Sequence, residues 1–204
     1  MVVDAPRPAR RTQRERRERT ESALVAAAAE LVVESGLRSL TLARVGERAG
    51  YSRGIVNHHF GSKQALVEAL AHATQSGFIP GLDQFSPGLE RLLAVIERYT
   101  AALGDIDVIS RAFLLLWAES ATSVDLADLF RERDEGFRSR LRADVEAGVA
   151  EGSIRADAHP GDVAVAIMGQ LRGVGLQRLL DPDAVATERL RHTVADQWRR
   201  ALSA

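Results

Sequence analysis

Five residues that could contact an anion or a polar surface lie around one short apolar segment. Within LTLARVGERAGYSRGIVNHHFGSK, residues 40–63, they are Arg53, Gly54, Asn57, His58 and Lys63. Guanidinium, amide and ammonium groups donate hydrogen bonds to phosphate oxygens and to base edges. A glycine in an exposed first helical turn costs roughly 1 kcal/mol relative to alanine, but it lets a ligand approach the backbone closely. The pattern favours a binding surface over an ordinary solvated face.

Two cations occupy positions that the helix dipole disfavours. Lys63, the only lysine in the chain, directly follows Ser62, a predicted helix N-cap. Arg44 lies three residues after Thr41, a second predicted N-cap, where a capping box would place glutamate. A cation in the first turn opposes the dipole, whereas a phosphate bound there would be stabilised by the N–H groups and by the cation together. We therefore predict that both side chains contact phosphate.

Helices position these groups. Apolar residues recur at helical spacing, and no stretch alternates apolar and polar residues for long. We predict a first helix over about residues 20–35, a second after the Thr41 cap to Gly50, a third after the Ser52 cap to Gly61, and a fourth from Ser62 to about residue 75. Tyr51 and Ser52 form the turn. Two short helices joined by such a turn and packed on a longer helix make a helix-turn-helix unit. Its predicted core comprises Leu24, Leu31, Val45, Ala49, Val56 and Phe60.

The composition narrows the class of protein. The 204 residues are 46% hydrophobic and 27% charged, as in a globular protein of one or two domains. The absence of cysteine excludes a disulfide framework, a thiolate metal site and a cysteine nucleophile. The five histidines are not spaced for a metal site, so we expect neither metal nor cofactor. We find no secretory signal or membrane-spanning segment and expect a cytoplasmic protein.

Charge is distributed unevenly along the chain. Residues 1–63 contain 12 Lys and Arg against 7 Asp and Glu, whereas the remainder contains 15 against 21. A basic N-terminal segment before an acidic remainder is consistent with a polyanionic partner, and equally with chance clustering on a solvated face.

Residues 20–70 resemble the N-terminal DNA-binding domain of the TetR family of one-component transcriptional regulators. The resemblance is carried by AAAAEL before Gly36, by Thr41, by the Glu47–Gly50 helix end, by Ser52-Arg53-Gly54, and by HFGSK at residues 59–63. It implies a homodimer that binds a palindromic double-stranded DNA operator. The DNA contacts that it implies are Thr41, Tyr51, Ser52, Lys63 and the outer face of the third helix. Where the family usually has a phosphate-touching tyrosine, this chain has Asn57, which could bond adenine or reach only the backbone.

The arginines before the first helix allow two interpretations. Residues 1–19 form a basic arm in our division of the chain, with Arg10, Arg11, Arg14, Arg16, Arg17 and Arg19. The arm could enter the minor groove, or it could be a disordered tail that adds affinity for any sequence.

Residues 71–204 are predicted to form a helical effector-binding and dimerisation domain, so the fold class is all-α. Leu89, Leu92, Leu93, Ile96 and Leu103 share one apolar face, and ISRAFLLLWA at 109–118 is apolar nearly all round and should lie centrally. Longer helices are expected over 124–151 and 161–180, and a last one from about Pro182. Glycines in 161–180 would permit close helix contact, so we predict a homodimer through these two helices. FLLLWAES through EGSIRAD also resembles the C-terminal region of the choline-responsive betaine-operon repressors.

An effector pocket is predicted around Tyr99, Phe113, Trp117 and Phe137, although each ring taken singly fits a packed core better. Glu119 with Trp117 could receive a cationic group. We expect a small, largely apolar effector, cationic if Glu119 faces inward, that tilts the fourth helix and releases a repressor from DNA. Activation at some sites stays open.

Two other functions compete with this one: an all-helical enzyme with a dispersed active site, and an architectural DNA-binding protein without effector. We expect no enzyme, because the sequence lacks a phosphate-binding glycine loop, a nucleophile elbow and a histidine pair at i, i+4. An architectural role would leave the large acidic domain unexplained.

Overall fold

A computed structural model describes residues 12–73, 79 and 81–204. These residues form nine α-helices, two short 3-10 turns and one isolated bridge between Ile154 and Ser203, which confirms the all-α prediction. The helices are α1 Gln13–Ser35, α2 Leu42–Ala49, α3 Arg53–Phe60, α4 Lys63–Ala73, α5 Leu89–Ala102, α6 Val108–Ser120, α7 Val124–Glu151, α8 Pro160–Leu180 and α9 Thr187–Leu202. None of these helices combines the length and the apolar character that crossing a membrane requires.

The first helix begins earlier than the sequence pattern predicted, at Gln13. Thr12 is its N-cap, and a capping box closes the end: Thr12 N–H donates to Glu15 Oε2 at 2.9 Å, and Glu15 N–H donates to Thr12 Oγ1 at 3.2 Å. The predicted start at residue 20 was therefore wrong, and Arg14, Arg16, Arg17 and Arg19 are helical. Arg10 and Arg11 lie outside the described residues, as does the predicted end of α4 near residue 75.

The helix-turn-helix unit forms as predicted from its caps. Thr41 Oγ1 accepts from Arg44 N–H at 3.2 Å, and Ser52 Oγ accepts from Ile55 N–H at 3.3 Å. Gly50 ends α2 in the left-handed conformation, φ 74° and ψ 27°. A side-chain N-cap such as Thr41 or Ser52 stabilises its helix by about 1 kcal/mol. The predicted core residues are all buried or half-buried, and Val45 and Val56 are fully buried.

Gly46 allows the turn to fold back against α2. Tyr51 N–H donates to the Gly46 carbonyl at 2.7 Å. A Cβ at Gly46 would lie 2.7 Å from the Tyr51 carbonyl oxygen and 3.1 Å from Val56 Cγ2. Both neighbours are fixed, one by the backbone and the other in the core, so this position requires the absence of a side chain.

The remaining helices form a bundle in which α5 contacts α7, α8 and α9, and α7 contacts α8. All five residues of the predicted apolar face of α5 are buried. Arg199 of α9 pairs with Glu90 of α5 at 2.6 Å, and Arg155 N–H donates to the Leu202 carbonyl, which closes the C-terminal end of the bundle. The last helix starts at Thr187 rather than near Pro182.

The sixth helix lies between the two halves of the molecule. It contacts α1 and α4 on one side and α7 and α8 on the other. Ala112, Phe113, Leu114 and Leu116 are buried, whereas Leu115 keeps 36% of its surface exposed. The central position predicted for residues 109–118 is therefore correct.

Gly46→Ala should destabilise the folded protein. The new methyl group would force the turn away from α2, at a cost of about 1–3 kcal/mol that the better helix propensity of alanine, about 1 kcal/mol, only partly offsets. Urea unfolding of both proteins at equal concentration measures this difference. Gly136→Ala is the matched control, because a Cβ there meets nothing within 4 Å, and it should raise the free energy of unfolding. A Gly46→Ala protein as stable as the parent would show that the turn adapts freely.

Candidate nucleic-acid interface and internal cavity

The outer face of α3 presents polar side chains to solvent because its inner face is used by the core. Val56 is fully buried, whereas Arg53, Gly54, Asn57 and His58 are exposed. The side chains of Arg53 and Asn57 make no hydrogen bond or ion pair with any described residue. The four predicted groups are thus brought together on one surface with their donors available.

The fold itself does not require a glycine at position 54. A Cβ there would meet only Ser52 Oγ, at 3.6 Å, which is ordinary van der Waals contact. Alanine would fit and would favour the helix. An explanation for the glycine has to come from outside the protomer, and close approach of a partner's backbone to the first turn of α3 is one.

Lys63 and Arg44 are held by carbonyl groups of the 3-10 turn Leu37–Ser39, which follows α1. The sequence pattern did not reveal these contacts. Lys63 is half-buried, and its Nζ donates to the Leu37 carbonyl at 2.7 Å. Arg44 Nη1 donates to the Ser39 carbonyl at 2.9 Å. These bonds fix both cations beside the N-terminal turns of α4 and α2. An ammonium has three donors, so Lys63 can bind a phosphate oxygen without losing its internal bond.

Two further arginines lie near this surface, and they differ in whether the guanidinium is already paired within the protein. Arg38, in the 3-10 turn Leu37–Ser39, is exposed, has no described partner and adjoins the carbonyl that Lys63 contacts. Sequence reasoning missed it, although its place between Leu37 and the Thr41 cap was a usable signal. Arg48 instead bridges Glu30 at 3.0 Å and Glu34 at 2.7 Å, and it lowers the pKa of Glu34 chiefly through its hydrogen bonds. It ties α2 to α1.

The other edge of the surface is formed by Tyr51 and the start of α1. Tyr51 is half-buried, and its Oη lies 3.5 Å from Thr20 Oγ1. The Thr20 hydroxyl donates to the Arg16 carbonyl at 3.0 Å. The exposed arginines of the first turns of α1 therefore lie on a helix next to the turn that precedes α3.

A cavity of about 680 Å³ lies inside the C-terminal bundle. Tyr99, Phe113 and Phe137 line it as predicted, but Trp117 and Glu119 are not part of its wall. The Trp117 indole N–H donates instead to Asp134 Oδ2 at 2.8 Å, and Asp134 does not line the cavity either. His72, in the last turn of α4, is part of the cavity wall.

The aromatic rings surround a cation that belongs to the protein. The Arg172 guanidinium carbon lies 4.7 Å from the ring centroid of Phe113, 5.6 Å from that of Trp117, and 5.9 Å from those of Tyr99 and Phe137. Arg172 Nη1 donates to Tyr99 Oη at 3.1 Å, and Nη2 lies 3.8 Å from Asp134 Oδ1. Burial raises the pKa of Tyr99, and the neighbouring guanidinium opposes that rise. The cation site predicted at Trp117 is thus filled by Arg172.

Comparisons with known protein families match two separate segments of the chain. The family model described as bacterial regulatory proteins of the tetR family matches residues 24–70. The family model described as the C-terminal domain of BetI-type transcriptional repressors matches residues 88–203. The HTH-type transcriptional regulator BetI of Vibrio campbellii is 23% identical over 186 residues, which cover 88% of this chain and 90% of that protein.

Two solved structures share the fold. A TetR transcriptional regulator from Chloroflexus aurantiacus superposes with a TM-score of 0.78 at 20% identity, over 93% of this chain and 98% of that chain. A protein from Saccharomonospora viridis crystallised in complex with choline superposes with a TM-score of 0.75 at 18% identity, over 92% and 99%. The BetI relative is named as a regulator, not as an enzyme.

Gly54→Ala should change stability and DNA affinity in opposite directions. Alanine fits the fold and favours the helix, so the free energy of unfolding should rise by up to about 1 kcal/mol. The added methyl group should hinder a DNA backbone and weaken binding about tenfold or more, measured by fluorescence anisotropy on a fragment that the parent binds. Gly161→Ala is the matched control, since Gly161 is also the second residue of its helix. A Cβ there would lie 3.5 Å from His159 Cε1, which is ordinary van der Waals contact. It should leave DNA affinity unchanged. Unaltered DNA binding by Gly54→Ala would remove Gly54 from the interface.

Proposed function

The chain belongs to the TetR family of DNA-binding transcriptional regulators, and we propose that within this family it is a homodimeric repressor that a small molecule releases from a palindromic operator. The exposed face of α3 binds the major groove, Lys63, Thr41, Tyr51 and Arg38 contact the flanking phosphates, and Asn57 reads a base. The effector occupies the cavity of the C-terminal bundle.

One observation carries this proposal: the helices that line the cavity are also those that support the DNA-binding unit. Phe113 and Leu114 of α6 line the cavity, and α6 packs on α1 and α4. The fourth helix begins at Lys63, beside α3, which is the recognition helix in this proposal. Its residue His72 lines the cavity. A ligand in the cavity therefore contacts α6 and the last turn of α4, and the same two helices support the DNA-binding unit.

A second connection joins α4 directly to α7. Gln64 Nε2, in the first turn of α4, donates to the Asp125 carbonyl at the start of α7, at 3.0 Å. The seventh helix then lines the cavity from Leu129 onwards. Displacement of α7 by a ligand would shift the N-terminus of α4 and with it α3. A coupling of about 1–3 kcal/mol would change operator affinity roughly 5–150-fold.

Dimerisation is supported by an open face on α7 and α8. On α8, Val165 and Leu180 keep 56% and 88% of their surface exposed, and a Cβ added at Gly169 or Gly173 would meet nothing within 4 Å. On α7, the exposed residues Ser139, Ala143 and Ala150 are also small. Small and apolar residues on two adjacent helices suit the close packing of a second copy, which would form a four-helix interface.

Selection of bound genomic fragments with the purified protein tests the proposed function. The bound fragments should share a palindrome whose half-sites lie about 34–36 Å apart or at a multiple of that distance. Binding to this operator should remain selective over random DNA as salt rises, because base contacts do not depend on counterion release. Equal affinity for all sequences, lost uniformly with salt, would instead identify an architectural DNA-binding protein.

Gly169→Arg should produce a monomer that folds. The position is open in the protomer, so the fold tolerates a side chain, but a charged group there prevents close packing of α8 on a partner. Light scattering after gel filtration should report half the parent's mass, and operator affinity should fall at least about tenfold, because two recognition helices no longer bind together. Thr193→Arg, on the exposed surface of α9, should remain dimeric. A dimeric Gly169→Arg protein would show that the interface lies elsewhere.

A further inference from the structure

The cavity wall carries more buried positive charge than buried negative charge. Its charged residues are Asp83, Arg91, Glu132, Arg133, Arg140, Asp144 and Arg172. Arg91 and Asp144 form an ion pair at 2.6 Å and neutralise each other. Asp83, Glu132 and Arg140 are exposed, so water screens their charge. The less hydrated part of the wall also contains Arg172, with 9% of its side chain exposed, and the half-buried Arg133.

Arg133 and Arg172 lie close to one aromatic ring. The guanidinium carbon of Arg133 is 4.9 Å from the Phe113 centroid, and that of Arg172 is 4.7 Å from it. Burial lowers the pKa of Arg133 most, and the positive charge of Arg172 lowers it further. The compensating carboxylate, Asp134, accepts a hydrogen bond from Trp117 and does not line the cavity. A molecule in the cavity therefore meets the guanidinium side of this cluster.

A buried donor of Arg172 remains unsatisfied. Arg172 Nε is inaccessible to solvent and has no hydrogen-bond partner among the described residues. A buried unsatisfied donor destabilises the folded protein, and Arg172 itself is part of the cavity wall. An acceptor group supplied by a ligand would relieve this destabilisation by drawing the guanidinium towards the cavity.

Between its charged residues the wall is apolar, and much of it follows α7. Leu129, Phe137 and Leu141 of α7 line it, and the lining residues of this helix extend from Leu129 to Asp144. An α-helical segment of this length spans about 22 Å. Val95, Leu82 and Ile79 add apolar surface. Such a space suits a molecule with a long apolar body.

We infer that the effector is an elongated amphipathic carboxylate whose anionic head group binds beside Arg133 and Arg172 while its apolar body lies along α7. This inference rests on the proposed function, because it takes the cavity to be the effector site. A quaternary ammonium would have to enter rings that already hold a guanidinium, and it would place two buried cations within a few ångströms. That arrangement is unfavourable at the low effective dielectric of a protein interior.

Matched ligands that differ only in head group test the inference on the intact, DNA-free dimer. Decanoate, decan-1-ol and nonyltrimethylammonium form one series, and 5-phenylpentanoate with 4-phenylbutyltrimethylammonium forms a second with an aromatic body. Isothermal calorimetry below millimolar ligand should give an affinity for at least one carboxylate that exceeds that of its trimethylammonium counterpart by about tenfold or more. An equal or higher affinity for the ammonium compounds, or no binding by either carboxylate, would overturn the inference.

Variants of the arginines locate the head group. Arg133→Gln should weaken carboxylate binding about tenfold and leave decan-1-ol binding unchanged, because only the charge-assisted contact is lost. Arg131→Gln is the matched control on the same helix, since Arg131 is exposed and outside the cavity wall. Arg172→Met should remove the preference for carboxylates and increase ammonium binding in the vacated rings. Undiminished carboxylate preference in a folded Arg133→Gln protein would contradict the assignment, even if Arg172→Met fails to fold.

Operator release is measured separately, so that the two proposals can fail independently. A carboxylate that binds the DNA-free dimer with the expected preference but does not release operator DNA would support the ligand class and contradict the proposed regulatory function. Release of DNA by the ammonium series alone would support the proposed function and overturn the ligand class.

Discussion

The sixth helix is apolar on nearly every side, and a helix of this kind is stable only when other elements cover it all round. In this protein α1 and α4 cover one side and α7 and α8 cover the other. Burial of residues such as Leu114 and Leu116 stabilises the fold by roughly 1.5–3 kcal/mol each. The same burial fixes the DNA-binding unit against the bundle that contains the cavity. One stripe of α6, which comprises Arg111, Leu115 and Ala118, remains exposed, and its other sides pack on the four neighbouring helices.

The buried Arg172 has a comparable role inside the cavity. Its guanidinium is held by Tyr99, by Asp134 behind it and by four aromatic rings. Rings that would attract a cationic ligand in an empty site are here part of the protein's own internal packing. The choline-bound neighbour has the same fold, but in this chain one side chain of α8 occupies the space between the rings.

Helix caps and turns, which depend on residues close together in the sequence, were largely predictable. Side-chain contacts between residues far apart in the sequence were not. Thr41, Ser52, Gly50 and Gly61 act within one helical turn, and the helix-turn-helix unit followed from them. The Thr12–Glu15 capping box lies inside a run of charges, so the start of α1 was placed too late. Of the four rings predicted to line a pocket, Tyr99, Phe113 and Phe137 line the cavity, whereas Trp117 donates to Asp134 and, like Glu119, lies outside the wall. Arg172 was missed because a lone arginine usually reaches solvent; its place on the same face as Met168 and Gly175, both buried, was the available signal.

We propose that occupation of the cavity moves the two α3 helices of the dimer relative to each other through α6 and α4. Because the chain contains no cysteine, a single Glu47→Cys substitution on the exposed surface of α2 allows one nitroxide label on each protomer. Double electron–electron resonance on the dimer then measures the distance between the two helix-turn-helix units, without ligand and with the carboxylate that binds most tightly at saturation. The account predicts that the ligand shifts the distance distribution away from the one measured on operator DNA. The same distribution with and without ligand, under conditions in which the ligand releases DNA, would contradict it.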